Sequence, residues 1–265
     1  MFAKKSLSQN FLIDGNILKK IIKEASVQEN DIVIEIGSGP GALTEQLLIA
    51  KASVFAIEKD TLLAKTLDRL SEEGNHLKVF NEDCLDFEWE SFFHKLDLSK
   101  NKKVKIVANL PYKITTPILA ILAPFSEYIS SITVMVQKEV AERFIAKPGS
   151  KNYSSFTVFL DIFSIPRYCF TISPNCFYPK PRIYSALVQL TLKPVKQNLN
   201  IDMFLKWNRE LFQNRRKMLK SSLKTKFETE KLNNAFLKTG ISGTKRPEEL
   251  STDELIELFR SLNDH

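Results

Sequence analysis

The sequence predicts an α/β fold, a parallel sheet with helices on both faces, followed by a small all-helical domain. Three observations carry this. Through the first half of the 265 residues, short β-branched runs alternate with runs of helical period, the pattern of a parallel sheet whose crossovers are helices. Residues 170–193 then lose the helical period. From Asp202 onward the pattern is helical throughout and the charge turns basic.

Residues 31–36 (Asp-Ile-Val-Ile-Glu-Ile) read as a first strand that stops at glycines. Gly41 to Ala50 reads as a helix, with Leu43, Leu47 and Leu48 at helical spacing. Further strands are expected at 53–57, 77–80, 105–108 and 132–136, separated by helical patterns at 61–70 and 117–122, with another at 139–145. Residues 186–192 (Ala-Leu-Val-Gln-Leu-Thr-Leu) belong to antiparallel edge strands that close the sheet. In the helical domain Phe204, Trp207, Leu211, Phe212, Met218, Leu219 and Leu223 are placed on one side. A last helix is expected over 247–262, with Pro247 in its first turn. The domains are accordingly 1–198 and 199–265, with the boundary near Lys196 to Asn200.

The net charge is +7, yet residues 175–230 alone hold 12 Lys/Arg against 4 Asp/Glu, so this segment carries +8 and the remainder −1. Such confinement fits a patch meeting phosphates better than a solvated helical face. Cys84, Cys169 and Cys176 show no C-x-x-C spacing, and with His76, His94 and His265 as the only histidines no metal site is expected. Asp14 interrupts Phe11-Leu12-Ile13 before a secretory signal can form, and no run approaches about 18 apolar residues. A cytoplasmic monomer without a membrane partner is expected.

The segment Glu35-Ile36-Gly37-Ser38-Gly39-Pro40-Gly41 ends the first strand and opens a helix. Glycines there permit a sharp turn and close approach of a ligand to the main chain. The spacing around Gly37 and Gly39 is G-x-G-x-G, neither the dinucleotide fingerprint nor a phosphate-binding loop with its lysine. Glu58 ends the second strand, where a carboxylate can accept from ribose hydroxyls. Asp83 ends the third, where a carboxylate can meet the amino group of adenine. Together these describe a nucleoside without a pyrophosphate, and S-adenosylmethionine is the cofactor expected, leaving as S-adenosylhomocysteine.

Asn109-Leu110-Pro111-Tyr112 follows the fourth strand. An exocyclic purine amine is a poor nucleophile because its lone pair is delocalised. Two acceptors, the Asn109 side-chain oxygen and the Leu110 carbonyl, can draw its nitrogen toward tetrahedral geometry and align it with a methyl–sulfonium bond. Pro111 fixes the turn and biases Leu110 toward extended backbone. Tyr112 offers a flat face for a base taken out of its stack.

These residues together resemble the ribosomal RNA adenine N6-dimethyltransferase family, in particular its bacterial small-subunit branch, over essentially the whole chain. The resemblance implies a Rossmann-like class I methyltransferase sheet with a C-terminal helical RNA-binding domain. It implies that Asn10 and Leu12, within Gln9-Asn10-Phe11-Leu12, contact the cofactor, and that Asn109 meets its methionine end. It implies that Phe177, within Phe177-Tyr178-Pro179-Lys180-Pro181-Arg182, supplies a second aromatic face for the target base. Phe212-Gln213-Asn214-Arg215-Arg216-Lys217 and Arg246-Pro247-Glu248-Glu249-Leu250 resemble signatures of the helical domain. The implied reaction dimethylates two adjacent adenosines in a 3′-terminal hairpin loop of 16S rRNA, in the small subunit or its precursor. Lys180, Arg182, Arg215, Arg216, Lys217 and Lys220 are assigned to RNA, while Lys113 reads equally as a phosphate contact or a solvated side chain. Ser8, Lys113-Ile114 and Tyr184 depart from the usual family residues without removing a catalytic group.

Other readings share parts of this pattern. A large-subunit rRNA methyltransferase of the macrolide-resistance type would use the same catalytic logic, but residues 246–250 favour the small-subunit branch. DNA adenine methylation is disfavoured by Leu110, which stands where that motif has proline. A small-subunit assembly factor with secondary catalysis would also use the basic helices.

Overall fold

A computed structural model describes residues 10–71, 76–96, 98, 102–111, 113–195 and 199–263. Tyr112, and the Ser8 and Gln9 of the N-terminal motif, lie outside the described residues. The chain enters with a two-residue strand, β1 (Phe11–Leu12), and helix α1 (Gly15–Glu24). Asp14 starts α1 by accepting from the Asn16 and Ile17 amides at 2.9 and 3.1 Å, so two of the unpaired first-turn donors are satisfied. There follow β2 (Ile32–Ile36), α2 (Ala42–Ile49), β3 (Ser53–Ile57), α3 (Thr61–Thr66), β4 (Leu77–Phe80), α4 (Trp89–Lys95) and β5 (Val104–Asn109). Then come α5 (Thr115–Leu122), β6 (Ile129–Gln137), α6 (Lys138–Phe144), α7 (Ser155–Phe163), β7 (Ser164–Ile172), β8 (Phe177–Tyr178) and β9 (Ser185–Leu192). Four helices complete the chain: α8 (Ile201–Gln213), α9 (Leu219–Leu223), α10 (Thr229–Thr239) and α11 (Thr252–Asn263).

Seven strands form one sheet in the order β4-β3-β2-β5-β6-β9-β7, parallel from β4 through β6 and antiparallel at β9 and β7. The chain winds outward from β2 to β4, then returns to the other side of β2 at β5. This reversal leaves a crevice beyond the carboxyl ends of β2 and β5, where such sheets bind ligands. The β2 side chains Val33, Ile34 and Ile36 are almost wholly buried, each stabilising the fold by about 1.5–3 kcal/mol. One face is covered by Leu18 and Ile21 of α1 and Leu47 of α2, packed with Val33 and Val54. Elsewhere an aromatic cluster gathers around α4, where Phe92 meets Phe55, Phe80 and Phe87 edge-on at ring distances of 5.3–5.7 Å.

Two compact units result: Met1–Ala141 with Ser164–Pro194, and Glu142–Phe163 with Val195–His265. The expected division at 198/199 places residues 142–163 with the sheet, whereas they group with the C-terminal helices. The reason is their bonding. Ser155 O accepts from Asn208 Nδ2 at 3.0 Å, and the Gly149 amide donates to Glu248 O at 2.6 Å. Residues 196–198, within the expected boundary, lie outside the described residues.

Other expectations need correcting. The helix expected over 247–262 is a 3₁₀ turn, Pro247–Glu249, followed by a fresh start at α11. Ser251 and Glu254 form a reciprocal capping box there, Glu254 N to Ser251 Oγ at 3.2 Å and Ser251 N to Glu254 Oε2 at 2.8 Å. Of the stripe expected on one side, Phe204, Trp207, Leu211, Leu219 and Leu223 are buried, but Met218 is 48% exposed because the chain turns between α8 and α9. The antiparallel part of the sheet begins at Ser164, earlier than residue 170, and directly after α7.

Candidate active site

The glycine loop is built to bring main chain to the crevice. Gly37 has φ +71° and Gly39 φ +57°, a region that side chains disfavour. The Gly37 amide continues the β2–β3 ladder by donating to Ile57 O at 2.8 Å. A Cβ on Gly37 would lie 3.7 Å from the Asn109 carbonyl oxygen, and one on Gly39 would lie 3.2 Å from the Phe11 ring. The loop is thus pressed between the end of β5 and the N-terminal strand.

Glu58 braces the loop from the end of β3. It is buried, with Oε2 accepting from the Gly39 amide and Oε1 from the Asp60 amide, each at 2.8 Å. Burial raises its pKa, against those two bonds. Glu35, on β2, is 1% exposed and pushed up to about 8, chiefly by burial and further by the Glu58 charge, while the Thr44 hydroxyl bond at 2.6 Å pulls the other way. At neutral pH Glu35 is therefore largely a neutral acid. Asp83 has the opposite character. Its Oδ2 meets Lys59 Nζ at 2.5 Å and its Oδ1 accepts from the Leu85 amide at 3.0 Å, and the Lys59 contact holds it below the usual carboxylate range. Burial pushes the adjacent Cys84 thiol up to about 12, so it is no nucleophile.

Asn109 ends β5 and its side-chain amide donates to the Asn10 carbonyl at 3.3 Å. Leu110 behind it is 2% exposed. Phe177 reaches the same place from β8, which pairs antiparallel with β1 in the register Leu12 to Phe177. The result is one cavity of about 220 Å³ lined by Asn10, Leu12, Gly37, Gly39, Glu58, Asp83, Asn109, Leu110, Pro111 and Phe177. All the described residues assigned to cofactor or catalysis thus converge; Tyr112 lies outside the described residues. Lys113 lines the cavity as well and is exposed. Sequence reasoning missed Lys59, Thr44 and Phe11, whose contributions depend on partners set by strand register.

The residues assigned to RNA are less uniform. Lys180 and Arg182 are exposed on the connection from β8 to β9. In the helical unit Arg216, Lys217 and Lys220 are exposed, with Lys220 Nζ 3.4 Å from Asn233 Oδ1. Arg215 instead ties the unit together: Nη1 donates to Lys151 O and Tyr153 O at 3.1 and 3.3 Å, and Nε lies 3.3 Å from Glu248. No group among the described residues has three or more His, Cys, Asp or Glu placed to hold a metal, and no described helix is long and apolar enough to cross a membrane.

The family model for ribosomal RNA adenine dimethylase matches residues 2–264. The chain is 48% identical over 262 residues to the ribosomal RNA small subunit methyltransferase A of Protochlamydia amoebophila, covering 99% of this chain and 92% of that protein. It is 42% identical to the protein of the same name from Chlamydia muridarum, covering 99% and 93%. A crystal structure of a dimethyladenosine transferase from Plasmodium falciparum superposes with a TM-score of 0.81 at 26% identity, over 96% of this chain and 97% of that one. A 23S rRNA methyltransferase, ErmE, shares the fold with a TM-score of 0.72 at 23% identity, over 96% and 100%. With the glycine loop, the strand-end acids and the Asn109 turn around one cavity, the chain belongs to the ribosomal RNA adenine dimethylase family.

Proposed function

We propose that this methyltransferase takes methyl groups from S-adenosylmethionine and transfers them to the N6 amines of two adjacent adenosines in the 3′-terminal hairpin loop of 16S rRNA, acting in small-subunit biogenesis. The observation that carries the reading is that the carboxyl ends of β2, β3 and β5 and the turn after β4 open on a single cavity. The residues suit the cofactor. Ser38 lines the cavity, and its buried Oγ has no hydrogen-bond partner among the described residues, so its bonding capacity is unused. Glu58 and Asp83 supply acceptors for ribose hydroxyls and the adenine amine, and Asn10, Leu12, Gly37, Gly39 and Asn109 complete the cradle. When bound, the cofactor supplies an electrophilic methyl group on a sulfonium.

The chain's own residues prepare the nucleophile. Because the Asn109 NH₂ group donates to Asn10, its oxygen serves as the acceptor for one N6 hydrogen, and the Leu110 carbonyl is assigned the other. Phe177 and Tyr112 sandwich the extruded adenine. The methylated amine is cationic and passes its proton to these acceptors or to water, so no strong base is needed. Lys113, Lys180, Arg182, Arg216, Lys217 and Lys220 contact phosphates, and the helical residues 199–265 form the RNA-binding domain. The chain works as a cytoplasmic monomer. The names of the relatives support the small subunit over the large one as substrate.

The test is methyl transfer from labelled S-adenosylmethionine into small subunits lacking adenine methylation, with modified bases mapped by mass spectrometry. Dimethyladenosine at two adjacent positions near the 3′ end is expected. Label confined to large-subunit RNA or DNA would overturn the substrate, and its absence from every nucleic acid would move the reading to an assembly factor.

A further inference from the structure

Lys59 follows one acid of the cavity, Glu58, in the chain and pairs with another, Asp83. Both Glu58 oxygens already accept main-chain amides, from Gly39 and Asp60. Asp83 has one oxygen on the Leu85 amide and the other on Lys59 Nζ. The main chain at the ends of β3 and β4 is clamped together, which brings Lys59 within reach of Asp83. The Glu58 amide donates to Phe80 O at 2.9 Å, and Asn81 Nδ2 donates to Glu58 O and Lys59 O at 2.9 and 3.2 Å. Lys59 itself lines the cavity, although its side chain is 61% exposed.

An exposed ion pair contributes little to folding, because solvent screens it and ordering two side chains costs entropy. A carboxylate that must accept from a ligand amine has a different need. It must stay charged, and it must keep one orientation, or each binding event repeats the ordering cost. We propose that Lys59 is a positioning residue for the adenine half of the cofactor site, fixing the Asp83 carboxylate as the acceptor for the exocyclic amine while its stem walls the adenine slot. This inference rests on the S-adenosylmethionine reading above. Asp83 Oδ2 holds its lysine and Oδ1 its amide, and each oxygen keeps a further lone pair for the ligand. A purine bearing a 6-oxo group in place of the amine presents an acceptor to that acceptor and gains nothing from the arrangement.

The experiment is calorimetric titration of the full chain with S-adenosylhomocysteine and with its deaminated analogue, S-inosylhomocysteine. Lys59→Met keeps the stem and removes the charge. It is expected to weaken S-adenosylhomocysteine about fivefold and to leave the inosyl analogue within about twofold, with a thermal midpoint within about 2 °C of the parent. Lys59→Arg restores the preference, and in an Asp83→Asn background Lys59→Met has no further effect on it. Equal weakening of both ligands, or no weakening of either, overturns the positioning role. A parent chain that binds neither ligand overturns the cofactor reading itself, and so separates the two failures.

Discussion

The side-chain amide of Asn109 donates to the main-chain carbonyl of Asn10 across 3.3 Å, joining the end of β5 to the residue just before the strand that pairs with β8. One hydrogen bond thus sets which end of the Asn109 amide is available as an acceptor, and the same N-terminal strand carries the register that brings Phe177 in. Orientation of an acceptor before the reaction is where most of its catalytic value lies.

Asn109→Ala is therefore expected to lower turnover by about 10²–10³, the scale of losing one preorganised polar contact at a reacting centre, with RNA binding retained. Asn109→Asp restores an acceptor but has no N–H for Asn10, so two oxygens face each other and turnover stays low. Single-turnover kinetics on undermethylated small subunits measures both. An aspartate variant with parental turnover would show that the Asn10 bond is dispensable.

Glu35 supplies a pH dependence. Its folded pKa, about 8, is raised above the ordinary 4.5, so between those values the unfolded chain has released a proton that the folded chain keeps. Stability from this group is fully present below about pH 4.5 and is lost as pH rises toward 8. Glu35→Gln removes the titration while leaving an oxygen for the Thr44 hydroxyl. The variant should gain on the parent as pH rises from 5 to 8, by on the order of 3 kcal/mol. Melting curves across that range test it, and parallel curves for the two proteins would contradict it.

Much of this frame was legible in advance, and what escaped has physical causes. The strands 32–36, 53–57 and 77–80 are β-branched or apolar runs bounded by turn signals, and local pattern sufficed. Residues 155–163 (Ser-Phe-Thr-Val-Phe-Leu-Asp-Ile-Phe) are apolar nearly all round and rich in β-branched and aromatic residues, so period alone did not reveal α7. Helix α1 carries only a narrow apolar stripe, Ile17, Leu18 and Ile21 among lysines, and its start depends on the Asp14 cap, so its pattern is faint in the sequence. Glycine loop and strand-end acids were readable because each follows its own strand. The Lys59–Asp83 pair and the Leu12–Phe177 register were not, since they depend on how separate strand ends meet.

The glycines make separable predictions. Gly41, with φ +92°, would place a Cβ 2.8 Å from Leu67 Cδ2 and 3.0 Å from Leu70 Cδ1. Gly41→Ala therefore combines backbone strain with a clash in the core beneath α2 and should cost about 1–3 kcal/mol. A Cβ at Gly39, where φ is +57°, would meet only the Phe11 ring. Gly39→Ala should displace that ring, weakening cofactor binding with a smaller stability loss. Chemical denaturation paired with S-adenosylhomocysteine titration distinguishes the two, and identical profiles would refute the assignment.

Arg215 and Arg216 are adjacent arginines with different work. Arg215 donates to two main-chain carbonyls, of Lys151 and Tyr153, and lies against Glu248. Its truncation leaves a carboxylate and two carbonyls without their partner, so Arg215→Ala should destabilise the chain by about 1–3 kcal/mol. Arg216 is exposed on the turn after α8. Arg216→Ala should leave stability within about 0.5 kcal/mol of the parent and weaken binding to small-subunit RNA. Because each lost phosphate contact releases fewer counterions, the slope of log affinity against log salt should flatten by about 0.7–0.9. A salt titration of both variants decides the matter. If Arg216→Ala leaves the slope unchanged, the arginine is merely solvated, and if Arg215→Ala flattens the slope without a stability loss, the roles of the two are reversed.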